Sequence, residues 1–176
     1  MNFNETIEQK LNILAKTWSD KIAETYAQDT ANFLKRENDP FSNPVGQTNA
    51  QAMETILKYL IGKVDYKELN SHLDPVIRIR AIQDFRPSKA VAFIFFIKPI
   101  IRDLFKKENQ DKNLMKEILK FETKVDDLSL HCFNIYMSCR EKIYDLRANE
   151  MKDRAFNVLK RANLIKDVDD DTEVEK

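Results

Sequence analysis

Glycine is scarce in this sequence. Its 176 residues include only two, Gly46 and Gly62. Tight β-hairpins use glycine to reach positive φ angles. Gly-rich phosphate-binding loops need several glycines at fixed spacings, which two residues sixteen positions apart cannot supply. The scarcity therefore predicts an all-α fold and argues against most nucleotide-dependent enzymes.

Signal peptides, membrane spans and disulfides are not indicated either. The first five residues are polar and acidic, unlike the basic start of a secretory signal. The most apolar run, 90–101, is shorter than the ~20 residues that cross a bilayer. Cys132 and Cys139 are about 10 Å apart along a helix, too far for a disulfide. We therefore expect a cytoplasmic protein with reduced cysteines and no membrane insertion.

The charge of the chain is balanced, with 29 basic and 29 acidic residues. This balance argues against a nucleic-acid partner, which requires clustered positive charge. A hydrophobic content of 43% is typical of a globular protein. The length favours one domain, predicted to span 1–165, and the acidic segment 166–176 is predicted to be a disordered tail.

Apolar residues spaced three and four positions apart predict a bundle of five to six helices. Thr48 is expected to cap the second helix, Gly62 to end it, and Asp74 to cap a short third helix at Pro75. His72 is then expected in a surface loop. The first predicted helix runs over 4–35 with a bend at 27–29, and the second runs over 48–62. The third begins at 74, and the fourth runs over 87–106. The last runs over 113–149, with an extension to about 163.

The fourth predicted helix is apolar nearly all round, so we expect it at the centre of the core. Phe93, Phe96 and Ile97 are expected to be largely buried, together with side chains from the other helices (Trp18, Leu57 and Leu128). Pro99 cannot donate a backbone hydrogen bond and is expected to kink this helix near 95–98.

The long last helix repeats its apolar residues with a period of 3.5 from Leu114 to Cys139. At about 1.5 Å per residue it spans roughly 55 Å, more than a small domain covers. We therefore predict a homodimer through this helix. Alternatively, the helix folds back over its own core, or a different protein supplies the partner helix. The candidate interface residues are Leu128, Ile135, Cys139 and Ile143.

No catalytic or metal-binding constellation is apparent in the sequence. His131 lies beside the apolar stripe, which favours a neutral histidine at the edge of the core over an axial ligand to haem. Cys132 and Cys139 lack the spacing of zinc ligands and are interpreted as small buried hydrophobic residues. No nucleophile, base and orienting group can be named, so the chain is predicted not to be an enzyme and to hold no cofactor.

One set of polar residues is open to two interpretations. Two of its members are four residues apart on the third helix, which allows an ion pair, and three share a face of the last helix. They form either a solvated, salt-bridged surface, or a network that fastens these helices together or surrounds a small anion. The residues are Arg80, Asp84, Arg140, Tyr144 and Arg147.

Four segments together resemble a known family. They are 25–34 (TYAQDTANFL), 41–46 (FSNPVG), 79–91 (IRAIQDFRPSKAV) and 136–150 (YMSCREKIYDLRANE). In this order they are similar to the N-terminal domain of RsbT co-antagonist proteins of the RsbRD type, related to the RsbR proteins of the bacterial stressosome. The resemblance runs from about Leu11 to Asn163.

The resemblance implies a globin-like helical domain that does not bind haem. In related RsbR proteins such a domain dimerises, and its last helix leads into an output domain, typically a STAS domain. Here only the acidic tail follows Asn163, so we expect action on a separate protein. The sequence thus predicts a non-enzymatic sensor in bacterial signalling that acts by protein–protein interaction. A small apolar or anionic ligand is a candidate for the signal that gates it. The alternative is a haem or gas sensor with His131 as axial ligand.

Overall fold

Every regular element in the described part of the chain is helical. The computed structural model describes residues 2–36, 39, 41–83, 85–108 and 111–164. The prediction of an all-α fold with a long final helix is confirmed. The helices are α1 Phe3–Gln9, α2 Leu11–Ala23, α3 Gln28–Arg36, α4 Pro44–Leu60, α5 Tyr66–Ile82, α6 Pro87–Ala92, α7 Ile97–Leu104 and α8 Lys112–Arg161, with 3₁₀ helices at Phe93–Phe96 and Lys106–Glu108.

The chain divides into two compact units, 1–139 and 140–176. The first contains α1 to α7 and the first part of α8, and the second contains the remainder of α8. The predicted domain boundary at residue 165 and the tail 166–176 lie outside the described residues, so both stay predictions. Within the described ranges, no helix is long and apolar enough to cross a bilayer.

The core of the first unit contains most of the side chains predicted for it. Trp18, Phe93 and Ile97 are fully buried, and so is Leu57, while Leu128 is buried as well. The Trp18 indole N–H donates a 2.8 Å hydrogen bond to the Phe93 carbonyl oxygen and so ties α2 to the 3₁₀ helix.

The prediction for Phe96 was wrong, because this ring is only half-buried. It lines an open depression at the surface together with Lys21, Glu24 and Thr25. It therefore packs against the edge of the core and not inside it.

The second predicted helix begins earlier than expected. The N-cap of α4 is Asn43, whose side-chain oxygen accepts a 2.8 Å hydrogen bond from the Gly46 amide. Thr48 lies inside the helix and donates to the Pro44 carbonyl oxygen, so its predicted role as a cap was wrong. Gly62 follows the helix with φ of +79°, which confirms the predicted glycine stop.

The third predicted helix also begins earlier, at Tyr66, where Asp65 supplies the cap. Asp74 is therefore not a cap, and Pro75 lies inside α5. The prediction of a loop at His72 was wrong for the same reason, since His72 is within α5. The sequence pattern of an acid followed by proline misled because Asp74 instead forms an ion pair with Arg78 one helical turn later.

Two long predicted helices are interrupted. The first is divided into α1, α2 and α3, with breaks at residue 10 and at 24–27. The fourth is divided into α6, the 3₁₀ helix Phe93–Phe96 and α7. Pro99 cannot donate to the carbonyl four residues earlier, and the tighter 3₁₀ winding falls just before it, close to the predicted kink.

We predict that Phe93→Ala lowers the free energy of unfolding by about 3–5 kcal/mol, because it removes a fully buried ring. Phe96→Ala is the matched control, and its loss should be smaller by at least about 1 kcal/mol, since half of that ring stays in water. Urea unfolding followed by circular dichroism measures both. Equal losses would contradict the placement of the two rings.

Candidate functional site

The first member of the predicted polar set, Arg80, is buried at the end of α5 and is 1% exposed. Its Nε donates to the Ala90 carbonyl oxygen at 3.1 Å, and Nη2 lies 3.2 Å from both the Lys89 carbonyl oxygen and the Thr25 hydroxyl. These contacts join α5, the start of α6 and the turn between α2 and α3. Arg80 is therefore a structural connector inside the first unit.

Aromatic rings surround the Arg80 guanidinium. Its central carbon lies 4.3 Å from the ring centroid of Phe85, 5.1 Å from that of Phe93 and 5.5 Å from that of Tyr26. Cation–π attraction offsets part of the cost of burying the charge. Burial lowers the pKa of Arg80, an effect that Tyr26 opposes, and burial also raises the pKa of the Tyr26 hydroxyl.

The Nη1 atom of Arg80 makes no hydrogen bond to any residue in the described part of the chain. Asp84, its predicted ion-pair partner, lies outside the described residues. The pairing of Arg80 with Asp84, and the network built on it, therefore stay predictions.

Tyr136 was not predicted as a site residue, yet it connects α8 to the same turn. Its hydroxyl donates a 2.5 Å hydrogen bond to the Phe85 carbonyl oxygen, and its side chain is 1% exposed. Tyr136 follows the apolar stripe of α8 and lies in a segment that carries the family resemblance. This position was the signal in the sequence that could have identified it as a site residue. Tyr136 thus hydrogen-bonds to the α5–α6 turn, and Arg80 hydrogen-bonds to α6 directly after that turn.

In the second unit, two of the three predicted α8 residues contact each other. Nη2 of Arg140 donates to the Tyr144 hydroxyl at 2.8 Å, and its guanidinium carbon lies 4.9 Å from the Tyr144 ring centroid. Arg147, the third, is exposed. The structure therefore brings Arg140 and Tyr144 together, and a functional role for the set stays a prediction.

The residues predicted for a dimer interface divide into two groups. Leu128 and Cys139 lie in the core of the chain itself, and a role for them in a dimer interface stays a prediction. Ile135, which packs against that core, and Ile143 are half-buried. The apolar stripe of α8 thus packs into the core of the first unit as far as Cys139.

His131 is engaged in hydrogen bonding. Its Nε2 lies 2.8 Å from the Asn70 side-chain oxygen, and the Tyr66 hydroxyl lies 3.0 and 3.1 Å from the two ring nitrogens. Partial burial lowers the pKa of His131, with a smaller opposing effect of Asp74, and so favours the neutral ring. These partners compete with any axial ligation by His131.

The cysteines and acids offer little for chemistry in the described ranges. Cys132 is buried, and that burial raises its pKa to about 12, so its thiol stays protonated. No group of three or more histidine, cysteine, aspartate or glutamate residues within the described part is placed to hold a metal ion.

We predict that Arg80→Met lowers the free energy of unfolding by about 2–5 kcal/mol. Methionine fills similar space but leaves two carbonyl groups without their donor. Arg78→Met is the control, because Arg78 forms an exposed pair with Asp74 that contributes at most about 1 kcal/mol. Urea unfolding measures both variants. An Arg80→Met protein as stable as the control would show that the buried guanidinium is dispensable.

Comparison with known proteins gives one family. The family model described as the RsbT co-antagonist protein rsbRD N-terminal domain matches residues 13–151, well over half of the chain. That range includes Arg80, Tyr136 and Arg140.

The chain is also similar to an uncharacterised protein of Archaeoglobus fulgidus. The two are 27% identical over 84 residues, which are 47% of this chain and 52% of the relative. No solved structure matches the chain. The family match over 13–151 shows that the chain belongs to the rsbRD N-terminal domain family of RsbT co-antagonist proteins, a stressosome-related group of signalling regulatory domains.

Proposed function

We propose that this chain is a non-enzymatic regulatory module that acts by protein–protein contact and forms a homodimer through the outer face of α8. The observation that carries the proposal is a column of apolar side chains on that face. Leu130, Met137, Tyr144, Met151 and Val158 follow one another at intervals of seven residues. We name these five residues the outer column.

Most of the outer column is open to solvent in the isolated chain. In the first unit, Leu130 is 66% exposed and Met137 is half-buried. In the second unit, Tyr144, Met151 and Val158 are 54%, 71% and 64% exposed. Single exposed apolar residues are ordinary on protein surfaces, but five at a constant heptad spacing are a pattern typical of helix pairing.

The outer column is distinct from the buried stripe of α8. Each of its members in the first unit is two residues from a member of the buried stripe, as Leu130 is from Leu128 and Met137 is from Cys139. Two residues along a helix are rotated by roughly 200°, so Leu130 points away from the buried stripe, whereas Met137 still packs in part against the core. Since the buried stripe packs on the chain's own core, the exposed members of the outer column are the apolar residues that we propose for a partner.

A second copy of the chain is the partner that this pattern fits. A heptad column on one helix meets the same column on its copy across a two-fold axis, so each residue finds an apolar counterpart. Three arginines each follow a member of the column by three residues, where a full coiled coil has a second apolar residue. They are Arg140, Arg147 and Arg154. The apolar seam is therefore narrower than that of a full coiled coil. Such a narrow seam supports a reversible dimer.

Family membership supports the regulatory part of the proposal. A globin-like arrangement of the helices, a cytoplasmic location and a separate protein as the target of regulation belong to the same proposal. The haem alternative has no support from the family or from the surroundings of His131.

We predict that Met151→Glu converts the dimer to a monomer at about tens of micromolar, because it places a charge in the apolar seam at a cost of several kcal/mol per dimer. Asn149→Glu is the matched control. It adds the same charge two residues away, on the opposite face, and should leave the dimer intact. Sedimentation equilibrium measures the mass of each variant.

Two outcomes would refute the proposed dimer. One is a monomer mass for the unmodified chain at these concentrations. The other is dissociation by Asn149→Glu with Met151→Glu still dimeric, which would place the interface on the opposite face of α8. Circular dichroism of each variant confirms that its helices are retained.

A further inference from the structure

A largely apolar pocket of about 420 Å³ lies in the first unit, where the end of α4, the start of α5 and the first part of α8 meet. Leu69 and Leu128 line it from the core, and Val64 lines it from the loop between α4 and α5. The volume is within the ~300–1000 Å³ of small-molecule sites, which are mostly apolar and carry a few polar groups. The homodimer proposed above does not use this pocket.

Two tyrosine rings in the lining are held in place by other parts of the chain. Tyr59 packs in part against the core. Tyr66 is 50% exposed, and its hydroxyl lies 3.0 and 3.1 Å from the two ring nitrogens of His131. The His131 Nε2 is in turn 2.8 Å from the Asn70 side-chain oxygen. Both phenol rings are therefore positioned by contacts within the protein.

Lys124 is a cation of the lining, and the protein itself uses its charge. Its Nζ donates a 3.0 Å hydrogen bond to the carbonyl oxygen of Leu60, the last residue of α4. The last carbonyl groups of a helix carry a partial negative charge that a lysine stabilises. His131 adds little positive charge, because partial burial lowers its pKa against a smaller opposing effect of Asp74. Neither side chain therefore favours an anionic ligand strongly.

Asp127 brings a negative charge to the pocket. It follows Lys124 by three residues, and its carboxylate forms no ion pair or hydrogen bond with any residue in the described ranges. The neighbouring Asp126 is paired instead, with Lys98 at 2.6 Å. Asp127 is exposed, so a ligand can reach it. The pocket therefore presents an accessible carboxylate close to two aromatic rings.

Three features of the pocket attract a positive charge. They are the Asp127 carboxylate, the two tyrosine rings and the C-terminal end of α4. The half-buried Val64 and Tyr59 offer apolar surface to a hydrocarbon body. Charge and polarity thus agree on a ligand that joins an ammonium group to an apolar body.

We propose that this pocket binds a small amine with an aromatic or aliphatic body, whose ammonium group pairs with Asp127 and lies near the Tyr66 ring. The site lies within the first unit, so its formation does not depend on the dimer. Its use as an input signal for the module rests on the regulatory function proposed above.

Isothermal titration calorimetry of the full chain at neutral pH tests the site with three probes that share one body and differ in charge. The cationic probe is phenethylamine, the neutral one is 2-phenylethanol and the anionic one is 3-phenylpropionate. Phenethylamine should bind with a Kd at or below about 1 mM, and at least about tenfold more tightly than each of the other two.

Asp127→Asn should weaken phenethylamine binding by roughly tenfold or more, because it removes the charge and keeps the volume. Asp126→Asn is the matched control. It removes the same charge one residue away, at the contact with Lys98, and should change the affinity by less than about threefold. Circular dichroism of both variants confirms that their helices are retained.

A second pair of variants tests the aromatic contact independently, and it keeps the test valid if Asp127→Asn is damaged. Tyr66→Leu removes the ring and should weaken phenethylamine binding by about fivefold, since a cation near an aromatic face gains on this order. Tyr66→Phe keeps the ring and loses only the hydroxyl contact with His131, so its affinity should stay within about twofold.

Three outcomes would overturn the proposed site. The first is no heat with phenethylamine, and the second is binding of 2-phenylethanol or 3-phenylpropionate at least as tight as that of phenethylamine. The third is an equal affinity of Asp127→Asn and Asp126→Asn for phenethylamine, which would show that only the net charge of the chain matters. None of these outcomes bears on the dimer, which sedimentation tests separately.

Discussion

The buried guanidinium of Arg80 is the interaction on which the first unit depends. It donates to two carbonyl groups at the start of α6 and contacts the Thr25 hydroxyl, so it joins three parts of the chain that are distant in sequence. Tyr136 on α8 reaches the same turn through the Phe85 carbonyl oxygen. A charge is costly to bury, and three aromatic rings together with these acceptors offset that cost. The packing of the first part of α8, as far as Cys139, within the first unit follows in part from this arrangement.

That position gives α8 two faces with different roles. As far as Cys139, the buried stripe completes the core of the first unit. The outer column keeps a heptad spacing in the sequence and includes Met151 and Val158 in the second unit. A regulatory domain needs a surface that responds to binding, and we propose the outer column as that surface.

The sequence predicts the fold class, the long last helix and most of the core, because helical periodicity and glycine scarcity are local signals. The sequence-based prediction fails at helix boundaries that are determined by contacts with neighbouring residues. Asn43, not Thr48, caps α4, and Pro75 is tolerated inside α5. The same limit applies to function. The 3.5-residue stripe was compatible with the core or with a partner, because periodicity alone cannot tell one apolar surface from another, and the structure shows that Leu128 and Cys139 are in the core.

Hydrogen exchange along α8 tests the central claim, the pairing of the outer column, most directly. A helix without a partner exchanges its amides quickly in water, since short isolated helices are marginally stable. The proposal predicts that the amides of 144–158 are protected, and that protection increases with protein concentration while that of the core helix α4 stays constant. Rapid exchange of 144–158 at every concentration, with α4 protected, would contradict it.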